Sequence, residues 1–142
     1  MATTLCVNLN PTRLCPDLTP AGLARGQQRA FEVLDDLGVG GIRVDLVWSA
    51  LEPAAGQVDE AVVRWYEGFL AEAAQRGLKV YALLYHPPAW AMAKLAQDEA
   101  GFLDAWRGFC RLVAERFGRH LAIAQVWNEP NNFLAALKGD NM

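Results

Sequence analysis

An α/β fold of parallel strands, each followed by a helix, is what the sequence predicts, and three observations carry it. Four strand-like segments begin near residues 5, 42, 78 and 121. Amphipathic helical segments lie between them, giving a repeat of roughly 36–43 residues. Polar side chains gather on one face of the strands toward their C-terminal ends, whereas an open sheet covered by helices on both faces reads apolar on both. With right-handed crossovers, the expectation is one domain over residues 1–142: a TIM-barrel-like (β/α)4 half-barrel whose polar face is the lumen.

Each element follows from local signals. Leu5–Leu9 reads as a short strand. Thr19-Pro20 opens a helix with Leu23, Ala30, Phe31, Leu34 and Leu37 near one face, stopped by Gly38, Gly40 and Gly41. Gly41–Val47 is a second strand rich in β-branched residues. Trp48–Gln57 reads as a loop, and Asp59 then caps a helix carrying Val62, Val63, Tyr66, Phe69, Leu70 and Ala73. Leu78–Leu84 is the third strand, followed by a long loop from His86. Asp98 caps a helix with Phe102, Trp106, Phe109, Val113 and Phe117 turned inward. Leu121–Trp127 is the fourth strand, ended by Pro130, and Phe133–Leu137 reads as the start of a further helix.

Composition excludes several function classes. Thirteen basic residues stand against 16 acidic ones, a net charge of −3, where a nucleic-acid-binding domain concentrates basic charge. No run of ~18 apolar residues suits a membrane span, and the first residues lack the pattern of a signal peptide. Three cysteines, Cys6, Cys15 and Cys110, neither form a disulfide framework nor show metal-ligand spacing. The expectation is a soluble cytoplasmic protein with no bound metal and no cofactor. No glycine-rich phosphate loop follows a strand.

The sharpest local signal is Val126-Trp-Asn-Glu-Pro-Asn131. The fourth strand delivers Trp127, Asn128 and Glu129 to its C-terminal end. A carboxyl group there, beside an aromatic ring and an amide, suits proton donation to a glycosidic oxygen, and partial burial would raise its pKa toward neutrality. A strand-end glutamate that caps the next turn is the plainer alternative. Alternation along strand two puts Arg43 and Asp45 on one face.

Two stretches resemble a known group of enzymes. Gly41-Ile-Arg-Val-Asp-Leu-Val-Trp48, continuing through Leu51-Glu-Pro53 and Gly56-Gln-Val-Asp59, is one; Trp127-Asn-Glu-Pro-Asn131 is the other. Together they resemble the N-terminal half of a clan A retaining glycoside hydrolase. The match looks most similar to the β-xylosidase and α-L-iduronidase family, family 39. The resemblance implies that Glu129 is the acid/base, that Asn128 binds a sugar 2-hydroxyl, and that Arg43 supports a nucleophilic carboxylate. For Arg43 an ion pair with Asp45 is the competing reading. Trp48, Trp90 and Trp127 are candidate aromatic contacts for a sugar, with core filling as the alternative for Trp48 and Trp90. His86 is a candidate for sugar hydroxyls or a loop-fixing group.

In such retaining enzymes the second carboxylate stands ~5–5.5 Å from the first and comes from a seventh strand. The sequence ends about a dozen residues past Glu129. The expectation is therefore weak or no turnover from this chain alone. Binding of carbohydrate without cleavage, and completion by a complementary chain, are the alternatives. Open strand edges further predict a homodimer in which strand four of each copy pairs with strand one of the other, closing an eight-stranded barrel.

Overall fold

The computed structural model describes residues 5–10 and 19–131. Its elements are β1 (Cys6–Leu9), α1 (Pro20–Leu37), β2 (Gly41–Val47), α2 (Trp48–Leu51), α3 (Glu60–Gln75), β3 (Lys79–Tyr85), α4 (Ala89–Leu95), α5 (Glu99–Phe117) and β4 (Ile123–Val126), with a 3₁₀ turn at Gly118–His120 before β4. The strands form one sheet in the order β1-β2-β3-β4, and every pairing is parallel. This is the predicted α/β half-barrel architecture.

Register explains how the two faces differ. Arg43 lies opposite Asn8 and Tyr81, while Asp45 lies opposite Leu83, which pairs with Gln125. The alternate positions Ile42, Val44, Leu46, Val80, Ala82 and Leu84 are all buried. They meet Phe31, Phe69, Phe109 and Phe117 from the three long helices in a single core. Burial of that face supplies the main drive for folding, at ~25 cal/mol per Å² of apolar surface.

The long helices start and stop where their caps dictate. Thr19 Oγ1 accepts from the Gly22 amide at 3.2 Å ahead of Pro20, and α1 ends at Gly38, whose φ of +59° suits glycine. Asp59 accepts from the amides of Ala61 and Val62, and Asp98 from that of Gly101, to open α3 and α5. Two segments read as loop from sequence contain short helices, α2 and α4. At four and seven residues they are too short to show a helical apolar period, and α4 begins directly after Pro88. The fourth strand is shorter than the predicted Leu121–Trp127 because its first residues follow the 3₁₀ turn.

Cys6 is exposed on β1 and Cys110 is half-buried on α5, where burial pushes its thiol pKa up from 9.0. Cys15 and the predicted helix at Phe133–Leu137 lie outside the described residues. Among the described residues no helix is long and apolar enough to cross a membrane, and no group of three or more His, Cys, Asp or Glu could hold a metal ion.

Candidate active site

The C-terminal ends of the four parallel strands open onto a cavity of about 520 Å³, lined by Asn8, Asn10, Arg43, Asp45, Leu83, Tyr85, His86, Asn128 and Glu129. The strand-then-helix sequence places these groups together although they span about 120 residues. Parallel strands put all their C-terminal ends on one rim, and each following turn leaves that rim outward.

Arg43 is the hub on one side. Its Nε donates to Gln125 Oε1 at 3.2 Å, Nη1 to Asn8 Oδ1 at 3.3 Å, and Nη2 to Asn128 Oδ1 at 2.9 Å. From β2, one guanidinium thus reaches β1 on one side and, across β3, β4 on the other, and it fixes the Asn128 amide. With Asn128 Oδ1 engaged, its Nδ2 hydrogens are the amide's remaining hydrogen-bonding groups beside the cavity. The competing ion pair with Asp45 is long, 4.0 Å from Arg43 Nη1 to Asp45 Oδ1. Arg43 therefore serves mainly as an amide-binding fork, a role its planar five-donor geometry suits.

Asp45 is the hub on the other side, and sequence reasoning considered it only as a partner for Arg43. It is 9% exposed. Its Oδ2 accepts from Asn10 Nδ2 at 3.0 Å and lies 3.3 Å from His86 Nε2. Its backbone carbonyl accepts from the buried Tyr66 hydroxyl at 2.9 Å, which anchors the strand end to α3. The available signal was positional: a carboxylate two residues after Arg43, on the same strand face, sits one layer nearer the rim.

The strand ends carry unusual backbone. His86, Trp127 and Glu129 have φ of +57°, +63° and +46°. Such left-handed geometry costs a non-glycine residue of order 1–3 kcal/mol and clusters at functional sites. It is held by specific bonds. The His86 carbonyl accepts from the Ser49 amide at 2.9 Å, and the Trp127 carbonyl accepts from Gln125 Nε2 at 3.0 Å. The result is that Glu129 lines the cavity beside Asn128.

Two expectations require correction. Trp48 is wholly buried, stacked on Phe109 with ring centroids 5.1 Å apart and edge-on to Trp90 and Trp106. Its indole donates to Glu52 Oε2 at 2.8 Å. Trp48 is core, because the first turn after β2 folds its side chain under α5 instead of over the rim. Glu129 is exposed where partial burial was expected. The four described strands line only one side of it.

The other aromatic candidates stand between core and rim. Trp90 is half-buried, packs on Trp48 and donates to the Glu52 carbonyl at 3.1 Å, and it does not line the cavity. Trp127 packs edge-on to Tyr85 and Trp106, with centroids 5.2 and 5.5 Å away. Tyr85 in turn covers the His86 ring at 4.5 Å. The structure thus gathers Arg43, His86, Asn128 and Glu129 at one mouth, adds Asn8, Asn10, Asp45 and Tyr85, and leaves Trp48 and Trp90 outside it.

Comparison with known proteins agrees with this geometry. The model of glycosyl hydrolase family 1 matches residues 27–138. Myrosinase 2 of Arabidopsis thaliana is 29% identical over 119 residues, covering 75% of this chain and 21% of the relative. Beta-glucosidase 32 of the same plant is 25% identical over 110 residues, 70% of this chain and 20% of the relative. The chain thus spans about a fifth of the length of these curated relatives. Among solved structures, the virulence factor SghA from Agrobacterium tumefaciens superimposes with a TM-score of 0.69 at 22% identity, over 89% of this chain and 35% of that one. A GH1 beta-glucosidase from Exiguobacterium antarcticum B7 gives 0.66 at 23% identity, over 75% and 25%. These matches overturn the assignment to the β-xylosidase and α-L-iduronidase family while supporting clan A. The two quoted motifs are short, and they identified the larger group and not its branch. The family match extends over more than three-quarters of the sequence, from α1 past the fourth strand, and this chain belongs to glycosyl hydrolase family 1.

Proposed function

We propose that this chain carries the proton-donor side of a site that cleaves β-glucosides. One observation carries the reading: parallel strand ends bring Glu129, Asn128 and Arg43 around a single polar cavity in a chain of glycosyl hydrolase family 1. Glu129 transfers a proton to the departing glycosidic oxygen and then takes one from the incoming water. Asn128, held by Arg43, presents amide hydrogens to a sugar oxygen. β-Glucosides are the substrate class because the curated relatives include several beta-glucosidases.

The retaining reaction needs a second carboxylate ~5–5.5 Å away. Among the described residues of the cavity only Asp45 offers another carboxyl group, and it is already engaged with Asn10 and His86. Turnover by the 142-residue chain alone is therefore weak in this reading. We further propose that a second copy closes the open edges, with β4 of each copy alongside β1 of the other.

The test is hydrolysis of an aryl β-glucoside by the chain and by Glu129→Gln. Turnover should fall by the 10²–10⁴-fold that general acid–base catalysis typically contributes. An unchanged rate in the variant would overturn the assignment. Glucoside binding with no turnover in either protein would mark a carbohydrate-binding module instead.

A further inference from the structure

We propose that Asp45 is a positioning residue that sets the proton location on His86, so that His86 meets a sugar as a hydrogen-bond acceptor. The inference rests on the glucoside reading for the chemistry of the ligand, but its central claim concerns this chain's own protons. Asp45 Oδ2 lies 3.3 Å from His86 Nε2. A carboxylate only accepts hydrogen bonds, so the contact is favourable when Nε2 carries the proton. Neutral His86 then has its lone pair on Nδ1. That nitrogen can accept from a hydroxyl, and it discriminates against a ligand group with no proton to give.

The surroundings hold this arrangement. Asn10 donates to the same Oδ2 at 3.0 Å, so the oxygen is fixed from a second direction. Asp45 is 9% exposed, and the Tyr66 hydroxyl holds its backbone carbonyl at 2.9 Å. Oδ1 has no hydrogen-bond partner among the described residues, and the nearest cation is Arg43 Nη1 at 4.0 Å. Carboxylate rotation is therefore restrained by three neighbours. The His86 ring is one-third exposed, rests against Tyr85 at 4.5 Å, and starts from a residue whose φ of +57° turns it toward the cavity rim. A buried acceptor behind a half-exposed imidazole is the arrangement that fixes one ring tautomer and leaves the other nitrogen for a ligand.

The chain contains two histidines, and the second provides an internal control. His120 Nε2 accepts from Arg119 Nε at 2.9 Å, which places its proton on Nδ1. Long-range ¹H–¹⁵N spectra of the full chain at neutral pH should therefore show two opposite tautomers, with His86 protonated on Nε2. In Asp45→Asn and Asp45→Ala the His86 signals should move toward a mixture of tautomers, while those of His120 stay in place. Two variants are used so that one failing to fold leaves the other. Finding His86 protonated on Nδ1 in the unaltered chain, or a His86 tautomer unmoved in a folded variant, overturns the proposal. A titration with methyl β-glucoside separates the two readings. If His86 has the expected tautomer but no glucoside binds, the substrate assignment fails and the positioning role of Asp45 stands. If glucoside binds, Asp45→Asn and His86→Asn should weaken it by similar factors, with little further loss in the double variant; full additivity would overturn the coupling.

Discussion

At the level of single residues, the buried aromatic cluster and the polar mouth divide the tryptophans between them. Trp48 is enclosed by Trp90, Phe102, Trp106 and Phe109 and hydrogen-bonds Glu52. Replacing it with alanine leaves a large cavity and an unpaired Glu52 oxygen. Trp48→Ala should cost about 3–5 kcal/mol, the usual range for removing a buried large aromatic, read as a lower urea midpoint. Trp90→Ala should cost less, since Trp90 is only half-buried. Equal losses would contradict the placement of Trp48 at the centre of this cluster. The same residues show the reach of sequence reasoning. Glu129 and Asn128 were legible because strand, amide, carboxylate and proline follow each other directly. For Trp48 the sequence offered both a sugar contact and core filling, and the choice between them depends on α5, which lies about fifty residues further along the chain.

Among the elements, α3 and α5 are joined by a charged clasp outside the core. Arg116 donates from Nε to Glu67 at 2.8 Å and from Nη1 to Glu60 at 3.1 Å. The hydrogen bond from Arg116 is the main reason the Glu67 carboxyl is held below its ordinary 4.5, with burial acting in the opposite direction. A carboxyl whose folded-state pKa is depressed stabilises the protein above its unfolded pKa and loses that contribution as pH falls through the lower folded value. Glu67→Gln should therefore flatten the acid limb of stability below about pH 4.5, with a loss at neutral pH under ~1 kcal/mol because the pair is partly solvated. Urea unfolding at pH 7 and pH 3 reads the difference. An unchanged pH dependence would show that the clasp contributes nothing. Helix positions themselves were legible from Thr19, Asp59 and Asp98 as caps, since a side-chain acceptor satisfies amides within its own turn. The short helices α2 and α4 were not, because their stability comes from packing and not from an internal apolar period.

Across the whole molecule, the sheet leaves β1 and β4 paired on one side only among the described residues. Ile123 and Val126 on β4 are 56% and 62% exposed, and a groove lined by Leu84, Val113, Leu121 and Ala124 runs beside them. An exposed apolar edge strand is a template for further pairing. If a second copy completes the barrel, sedimentation should give a dimer, and Ile123→Lys with Val126→Lys should shift it to monomer without loss of helix content. A monomer at all concentrations, or a dimer indifferent to both lysines, would rule out that closure. The polar mouth would then gain its second wall from another polypeptide segment.

The sequence by itself determined the class of fold, the order of its strands and the placement of Glu129 and Asn128 at the end of the fourth strand. Each of these rests on short-range patterns: alternation in β2, apolar periods in α1, α3 and α5, and the run from Trp127 to Asn131. The tertiary structure alone decided which polar groups share the mouth. Arg43 finds Asn128 across 85 residues of sequence, and Asp45 finds His86 across 41. Those partnerships arise from parallel register, which aligns strand ends that no local pattern relates. The family branch also lay beyond these two short motifs.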